Sequence, residues 1–218
     1  MKPDTPIIIA VDGPAASGKG TLARRLAERF DYAYLDTGLL YRAVAYDVLR
    51  RHEDPANAAA GLRAAKALNL AMLGAPETLA ALRTGEVGTA ASLVAAQPDT
   101  RRAILQIQRD IANAPPEGKA GAVLDGRDIG TVVCPEARHK IFVTARVEIR
   151  AARRWQELHA QDPKLTLQAV LADLQARDHR DSARTTAPMR AAQDAHLLDT
   201  SDLSIEEAFA AALALVLH

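Results

Sequence analysis

The sequence predicts an α/β fold built as a doubly wound parallel sheet, and three observations predict it. Short apolar runs alternate along the chain with longer stretches of helical spacing. The first run, Ile-Ile-Ile-Ala-Val at 7–11, passes straight into the nonapeptide Gly13-Pro-Ala-Ala-Ser-Gly-Lys-Gly-Thr21 and then into a helix-forming segment. No internal repeat or low-complexity linker interrupts the alternation, so the economical reading is one domain over 1–218.

Each element follows from its own pattern. Leu22, Leu26 and Phe30 share one helical face, so 22–30 reads as the first helix. A short strand at 32–35 ends in Asp36-Thr37-Gly38, after which 39–51 looks helical. The Ala-rich stretch 56–70 reads as helix, as do 84–96 and 100–113, the latter opening after Pro98. Val123-Leu124 and Ile141-Phe-Val143 are apolar runs bounded by turns, the mark of buried parallel strands. Helices are expected at 148–159 and 166–179, then a last strand near Leu197-Leu198. The final helix starts from Ser204, where Ser204-Ile-Glu-Glu207 has the form of a capping box.

Composition narrows the function classes. Hydrophobic residues make up 49% of the chain, ample for a core, and the formal net charge of +0 gives no global field for nucleic acid or an anionic membrane. The cations are 21 Arg against 6 Lys, which suits a phosphate-handling site and is equally what an Ala- and Arg-rich genome composition would give. A single cysteine, Cys134, excludes an internal disulfide and fits a reducing cytosol. Met1-Lys-Pro-Asp-Thr-Pro6 shows no signal-peptide pattern, and no apolar run reaches the ~18 residues of a membrane span, so a cytoplasmic protein is expected. The six histidines (52, 139, 159, 179, 196 and 218) form no metal-ligand spacing with Cys134.

Four clusters carry the candidate chemistry. In the nonapeptide, Gly13, Pro14, Ala15, Ala16, Ser17, Gly18, Lys19, Gly20 and Thr21 form a strand–glycine loop–helix unit that turns backbone N–H groups onto phosphate oxygens. Lys19 adds a mobile point charge for the β- and γ-phosphates. The loop departs from the common G-x-x-x-x-G-K-[ST] pattern because Gly20 follows the lysine and Thr21 comes one later. Asp36-Thr37-Gly-Leu-Leu-Tyr-Arg42 stands at the carboxyl end of the second strand, where open α/β sheets bind ligands. It is read either as an acceptor-nucleotide grip with Arg42 on phosphate or as an ordinary helix N-cap. Asp125-Gly-Arg127-Asp128-Ile-Gly-Thr-Val-Val133 ends a strand with a carboxylate able to orient hydrated Mg²⁺, or else forms a salt-bridged loop. Arg177-Asp-His-Arg-Asp181-Ser-Ala-Arg184, followed by Pro188, spaces charges to line a cleft or a solvated helix face. Upstream, Arg146, Arg150, Arg153 and Arg154 flank a helix, where arginines closing over a transferring phosphate would stabilise its charge.

Taken in order, these clusters resemble the bacterial cytidylate kinases, within the nucleoside monophosphate kinase group, in which the Gly-Lys-Gly-Thr form is found. Val11-Asp-Gly-Pro-Ala-Ala-Ser-Gly-Lys-Gly-Thr21, Leu35-Asp-Thr-Gly-Leu-Leu-Tyr-Arg42, Ala91-Ser-Leu-Val-Ala-Ala-Gln-Pro98, Asp125 to Val133, Arg177-Asp-x-x-Asp-Ser-x-Arg184 with Pro188, and Leu198-Asp-Thr-Ser-Asp-Leu-Ser-Ile-Glu206 all match collinearly. The resemblance implies a P-loop kinase with an acceptor-binding region at 56–96 and a mobile lid at 155–173. It implies phosphoryl transfer from ATP with Mg²⁺ to CMP or dCMP by a monomer that binds small nucleotides, with no nucleic-acid or membrane partner. Lys19, Arg127 and Arg184 would be catalytic, and the nonapeptide 13–21 would hold ATP. On the acceptor, Arg42 and Arg127 would bind the phosphate, and Asp36 and Thr37 would also contact CMP. Ser92, Arg101 and Asp128 would read cytosine, Arg177 and Asp181 would contact the sugar, and Arg184 would lie near the transferring phosphoryl. The direct Mg²⁺ contact stays open between Thr21 and a water-mediated Asp125.

Two features depart from the family pattern. Only the framework of 177–184 transfers, because its interior reads His179-Arg180 and Ser182-Ala183. The family's small antiparallel insert sheet falls at 69–84, which here is short, lacks β-branched alternation, and has a helix start at Pro76-Glu77. That insert sheet is therefore expected to be missing or reduced to a short hairpin. Two rival readings remain: a P-loop kinase for UMP or a small alcohol, and a nucleotide-dependent switch protein. The switch would want a guanine-reading Asn-Lys-x-Asp, and none occurs.

Overall fold

The computed structural model describes residues 5–160 and 162–217; the first four residues of the segment read at 1–6, and His218, lie outside them. Five strands form one sheet in the order β2-β3-β1-β4-β5, and every neighbouring pair is parallel. The strands are β1 (Ile7–Asp12), β2 (Ala33–Asp36), β3 (Gly121–Gly126), β4 (His139–Thr144) and β5 (His196–Asp199). From the central β1 the chain crosses to the edge strand β2 and returns through β3 beside β1. It then crosses to β4 and β5 on the other side, so strands are added on both sides of β1 in the doubly wound arrangement the alternation predicts.

The chain divides into two compact units, one taking the chain up to Asp36 and from Gln108 onward, the other Thr37–Ile107. In the first unit, side chains alternate across the sheet. Ile9, Val11, Val123, Ile141, Val143 and Leu198 share one face with Leu22, Ala23, Leu26 and Ala27 of α1 (Lys19–Phe30) and Ala208, Ala212 and Val216 of α9 (Ile205–Leu217). Leu26 is fully buried, a burial that contributes about 2 kcal/mol. The intervening residues Ile8, Ala10, Ala122 and Leu124 are also buried, so this sheet is covered on both faces. α9 begins on the predicted capping box: the Glu207 amide donates to Ser204 Oγ at 3.2 Å and the Ser204 amide to the Glu207 carboxylate at 2.9 Å. The helices α7 (Val147–His159) and α8 (Leu167–Ala183) pack through Ala151, Val170 and Leu174, and Trp155 donates its indole N–H to Leu165 O at 2.9 Å.

The second unit is helical: α2 (Thr37–Arg50), α3 (Ala58–Lys66), α4 (Pro76–Leu82), α5 (Gly85–Val94) and the first part of α6 (Pro98–Asn113). Leu40, Val44, Val48, Ala64, Ala90, Val94 and Ile104 form its core. Small residues let these helices approach closely; a Cβ on Gly61 would sit 2.0 Å from Gln97 Oε1. Between Leu68 and Ala91 the described residues contain no strand, only a 3₁₀ turn at Leu70–Gly74 and then α4 and α5. Pro76 occupies the first turn of α4 with its fixed φ, as the sequence predicts. Among the described residues, no helix is long and apolar enough to cross a membrane.

Candidate active site

The phosphate loop joins β1 to α1 through backbone that few side chains tolerate. Gly13 has φ 147 and presses on β4, where a Cβ would stand 2.0 Å from Val143 O. Ala16 takes φ 59, and Gly18, the residue before α1, takes φ 86. Two loop carbonyls are drawn outward: Ala15 O accepts from Arg150 Nη1 at 3.3 Å and Ser17 O from Thr200 Oγ1 at 2.9 Å. Across a trans peptide the next N–H points the opposite way, so these ties turn the amides of Ala16 and Gly18 away from their anchors. Lys19 follows at the first position of α1, at the positive end of that helix.

Beside Lys19 stand two carboxylates, Asp36 at the end of β2 and Asp125 in β3, which face each other in register. Tyr34 donates its hydroxyl to Asp125 Oδ2 at 3.0 Å. Burial pushes the Asp125 pKa up, Asp36 adds to the rise, and Lys19 opposes it. Burial likewise pushes Lys19 down, helped by Arg127 and opposed by Asp125 and Asp36. Burial, Asp125 and Asp36 together push the Tyr34 phenol well above its ordinary value, so it stays a hydrogen-bond donor. The odd Gly20 has a structural reason here. A Cβ at that position would sit 3.1 Å from Asp125 Oδ2, so glycine lets the carboxylate approach the first turn of α1.

The loop after β3 carries Arg127 and Asp128. Arg127 Nε donates to Asp181 of α8 at 3.0 Å and its Nη1 to Gly126 O at 3.1 Å. Arg184 donates to Asp128 Oδ1 at 3.3 Å and, through Nε, to Ala187 O at 2.6 Å. Arg177 is buried on α8, its Nε without a hydrogen-bond partner, and burial followed by Arg127 lowers its pKa. The first unit therefore brings Lys19, Asp36, Asp125, Arg127, Asp128, Arg177, Asp181 and Arg184 into one charged cluster. In the second unit, Arg42 donates to Leu82 O at 2.7 Å, closing the end of α4, and Arg101 donates to Ala95 O at 3.2 Å with its guanidinium over the Tyr41 ring. Ser92 is buried on α5, and Thr37 is buried as the first residue of α2.

Other sequence expectations are corrected in detail. Residues 129–133 form a five-residue π-type turn rather than a plain loop, starting after Asp128. The arginines flanking α7 are engaged with protein groups: Arg146 with Asp202, Arg150 with Asp178, Ala15 O and Ala145 O, and Arg153 with Thr200. Sequence reasoning also missed Asp12, Tyr34 and Thr200. The one available signal was Asp12 itself, an acid closing an otherwise apolar strand.

A phosphate loop closed by a lysine, with paired carboxylates at the carboxyl ends of adjacent parallel strands, defines a P-loop kinase. Comparison places it more narrowly: the family model described as cytidylate kinase matches residues 9–217, and the chain belongs to that family. Curated cytidylate kinases from Rhodospirillum rubrum and Paramagnetospirillum magneticum are 57% and 56% identical, covering 97% and 96% of this chain and 98% and 97% of theirs. The crystal structure of an uncharacterized protein from Eubacterium ventriosum shares the fold, with TM-score 0.52 at 17% identity over 95% of this chain and 96% of that one.

Proposed function

We propose that this chain transfers the γ-phosphoryl group of ATP to CMP or dCMP, giving CDP or dCDP and ADP. The observation that carries it is the buried cluster in which Lys19, at the mouth of the phosphate loop, feels Arg127, Asp125, Asp36 and Arg177 at once. A buried cation set of this kind suits polyphosphate, whose charge offsets the repulsion among its own arginines and lysine. Little covalent chemistry is asked of the protein, and no general base is assigned. The loop amides and Lys19 hold the donor phosphates. Arg42 and Arg127 take the acceptor phosphate, Asp36 and Thr37 contact the acceptor nucleotide, and Arg184 serves the transferring group. Arg177, with its unpartnered Nε, and Asp181 serve the sugar.

Ser92, Arg101 and Asp128 read the base. Cytosine offers an N4 donor that a carboxylate accepts, whereas uracil presents O4, a second acceptor. An unpaired buried polar group costs roughly 1–3 kcal/mol, which sets the scale of discrimination.

The chemistry of the paired carboxylates Asp36 and Asp125, which face each other in register beside Lys19, fits Mg²⁺, a hard cation that takes oxygen ligands. Among the described residues no group of three acidic, His or Cys side chains forms an all-protein cage, in keeping with an ion held by phosphates and water plus one or two carboxylates. Either Thr21 directly or Asp125 through water, its carboxylate oriented by Tyr34, would hold it. When bound, the ion would neutralise charge on the phosphates. Segment 155–173 acts as a lid that excludes water during transfer. A monomer acting on free nucleotides in the cytoplasm completes the reading.

The test is a set of initial rates with ATP and CMP, dCMP, UMP or AMP in parallel. CMP and dCMP should lead; UMP or a small alcohol outrunning both would overturn the assignment.

A further inference from the structure

We propose that Asp12 is a positioning residue for the acceptor side, clamping the loop that carries Arg127 and Asp128 to the strand that carries the phosphate loop. The proposal rests on the acceptor reading of that loop. Asp12 is the last residue of β1, directly before Gly13. Its carboxylate accepts the Ile129 amide on Oδ1 and the Gly130 amide on Oδ2, each at 2.8 Å. Two successive amides on two oxygens fix two peptide planes at once. The carbonyl on the other side of the Asp128–Ile129 peptide is fixed as well, accepting from the Val132 amide at 2.9 Å and the Val133 amide at 3.1 Å. Asp128 thus has its following peptide held at both ends, and its side chain meets Arg184 from a set position.

A merely structural acceptor at this place need carry no charge. Burial nevertheless holds the Asp12 carboxyl up at about 6, against the pull of the two amides, so it is mainly ionised at neutral pH. The groups around it do not neutralise it by contact. Asp128 opposes its ionisation, and Arg127 favours it more weakly than the amides do. Lys140 of β4 lies nearby through its methylenes, which line Gly130, while its ammonium is bound to Asp194 at 2.7 Å. The Cys134 thiol feels Asp12 but remains protonated. A buried anion maintained against this environment makes stronger bonds to N–H groups than a neutral acceptor does. What those bonds secure is the spacing between donor and acceptor loops, where a displacement of about 1 Å costs on the order of 100-fold in rate.

The test is Asp12→Asn, which keeps the shape but turns an NH₂ toward one of the two amides. The KM for CMP should rise about tenfold or more, as expected for a lost charged hydrogen bond, while the KM for ATP stays within about twofold. Exchange of the Ile129 and Gly130 amides should accelerate by at least about tenfold, with β1 interior amides unchanged. Unchanged CMP kinetics, or an equal rise in both KM values, would overturn the clamp. Asp128→Ala is measured alongside. If it leaves CMP kinetics intact, the acceptor reading of the loop fails, and amide exchange in Asp12→Asn still decides whether Asp12 holds the loop. Should Asp12→Asn not fold, the wild-type protein supplies the test. The Ile129 and Gly130 amides should be at least about tenfold more protected from exchange than unbonded loop amides, and exchange at the rate of an unbonded loop would refute the clamp.

Discussion

Replacing Gly13 by Ala separates two costs that glycine-rich loops usually combine. At Gly13 the added Cβ would stand 2.0 Å from Val143 O and 3.0 Å from Val143 C, both backbone atoms of a core strand, at φ 147. Restoring ordinary contact needs a shift of about 1 Å, and neither β1 nor β4 can give it without moving the sheet. The unfavourable φ adds about 1–3 kcal/mol and the overpacking about 1–3 more. At Gly18, φ is 86 but a Cβ would meet nothing within 4 Å. There only the dihedral term remains, about 1–2 kcal/mol. At about 2–4 °C per kcal/mol for a chain this size, Gly13→Ala should lower Tm by about 10 °C and Gly18→Ala by about 4 °C. Turnover should follow the displacement, with Gly13→Ala losing on the order of 100-fold in kcat. The assay is thermal melting of both variants beside initial rates at saturating CMP. Melting of Gly13→Ala within about 2 °C of Gly18→Ala would refute the argument that contact with β4, rather than φ, dominates at Gly13.

Lys19→Ala should cut turnover by several orders of magnitude and leave CMP binding by calorimetry nearly intact, since the lysine acts on donor phosphates. Asp128→Asn should narrow the CMP to UMP ratio of kcat/KM, because an amide can turn its NH₂ toward O4; an unchanged ratio would remove Asp128 from base reading. Ile104→Ala, fully buried in the helical core, should cost about 2–5 kcal/mol by urea denaturation. For pH, the folded-state pKa of Asp12 is raised from 3.8 to about 6, so the folded protein holds that proton more tightly than the unfolded chain. Its contribution is least unfavourable below about pH 4 and turns against folding as pH rises toward 6. Asp12→Asn should therefore gain about 1–2 kcal/mol relative to wild type between pH 5 and pH 7.5, read by denaturant titration at both values.

What the sequence made legible is whatever depends on neighbours in the chain. The run from Ile7 through the glycines to Lys19 contains its own strand, turn and helix signals, and all three appear where expected. Ser204 and Glu207 are three residues apart, and Pro76 needs only its own ring to start α4, so cap and helix were readable without tertiary knowledge. Helix ends shifted by a few residues where the cap was not distinctive: α3 closes at Lys66 and α8 runs on to Ala183. The candidate site was legible as residue types but not as a circuit. Asp12 meets Ile129 across 117 positions of chain, Tyr34 meets Asp125 across 91, and Thr200 meets Ser17 across 183. No local pattern encodes such pairings. The same gap explains Arg146, Arg150 and Arg153, whose composition suggested phosphate and whose partners are carboxylates, carbonyls and a hydroxyl of the protein itself.

The solitary cysteine closes the π-type turn in full burial, and that burial with nearby Glu136 pushes its thiol up to about 12. At neutral pH its thiolate is on the order of one molecule in ten thousand or fewer, and its burial screens it from solvent. The folded wild-type chain should therefore react slowly with maleimides, which thiol titration before and after denaturation checks. A fluorophore or spin label on an introduced exposed thiol, at Leu167 on α8 for instance, would report from that position alone, without first rebuilding the core around Cys134.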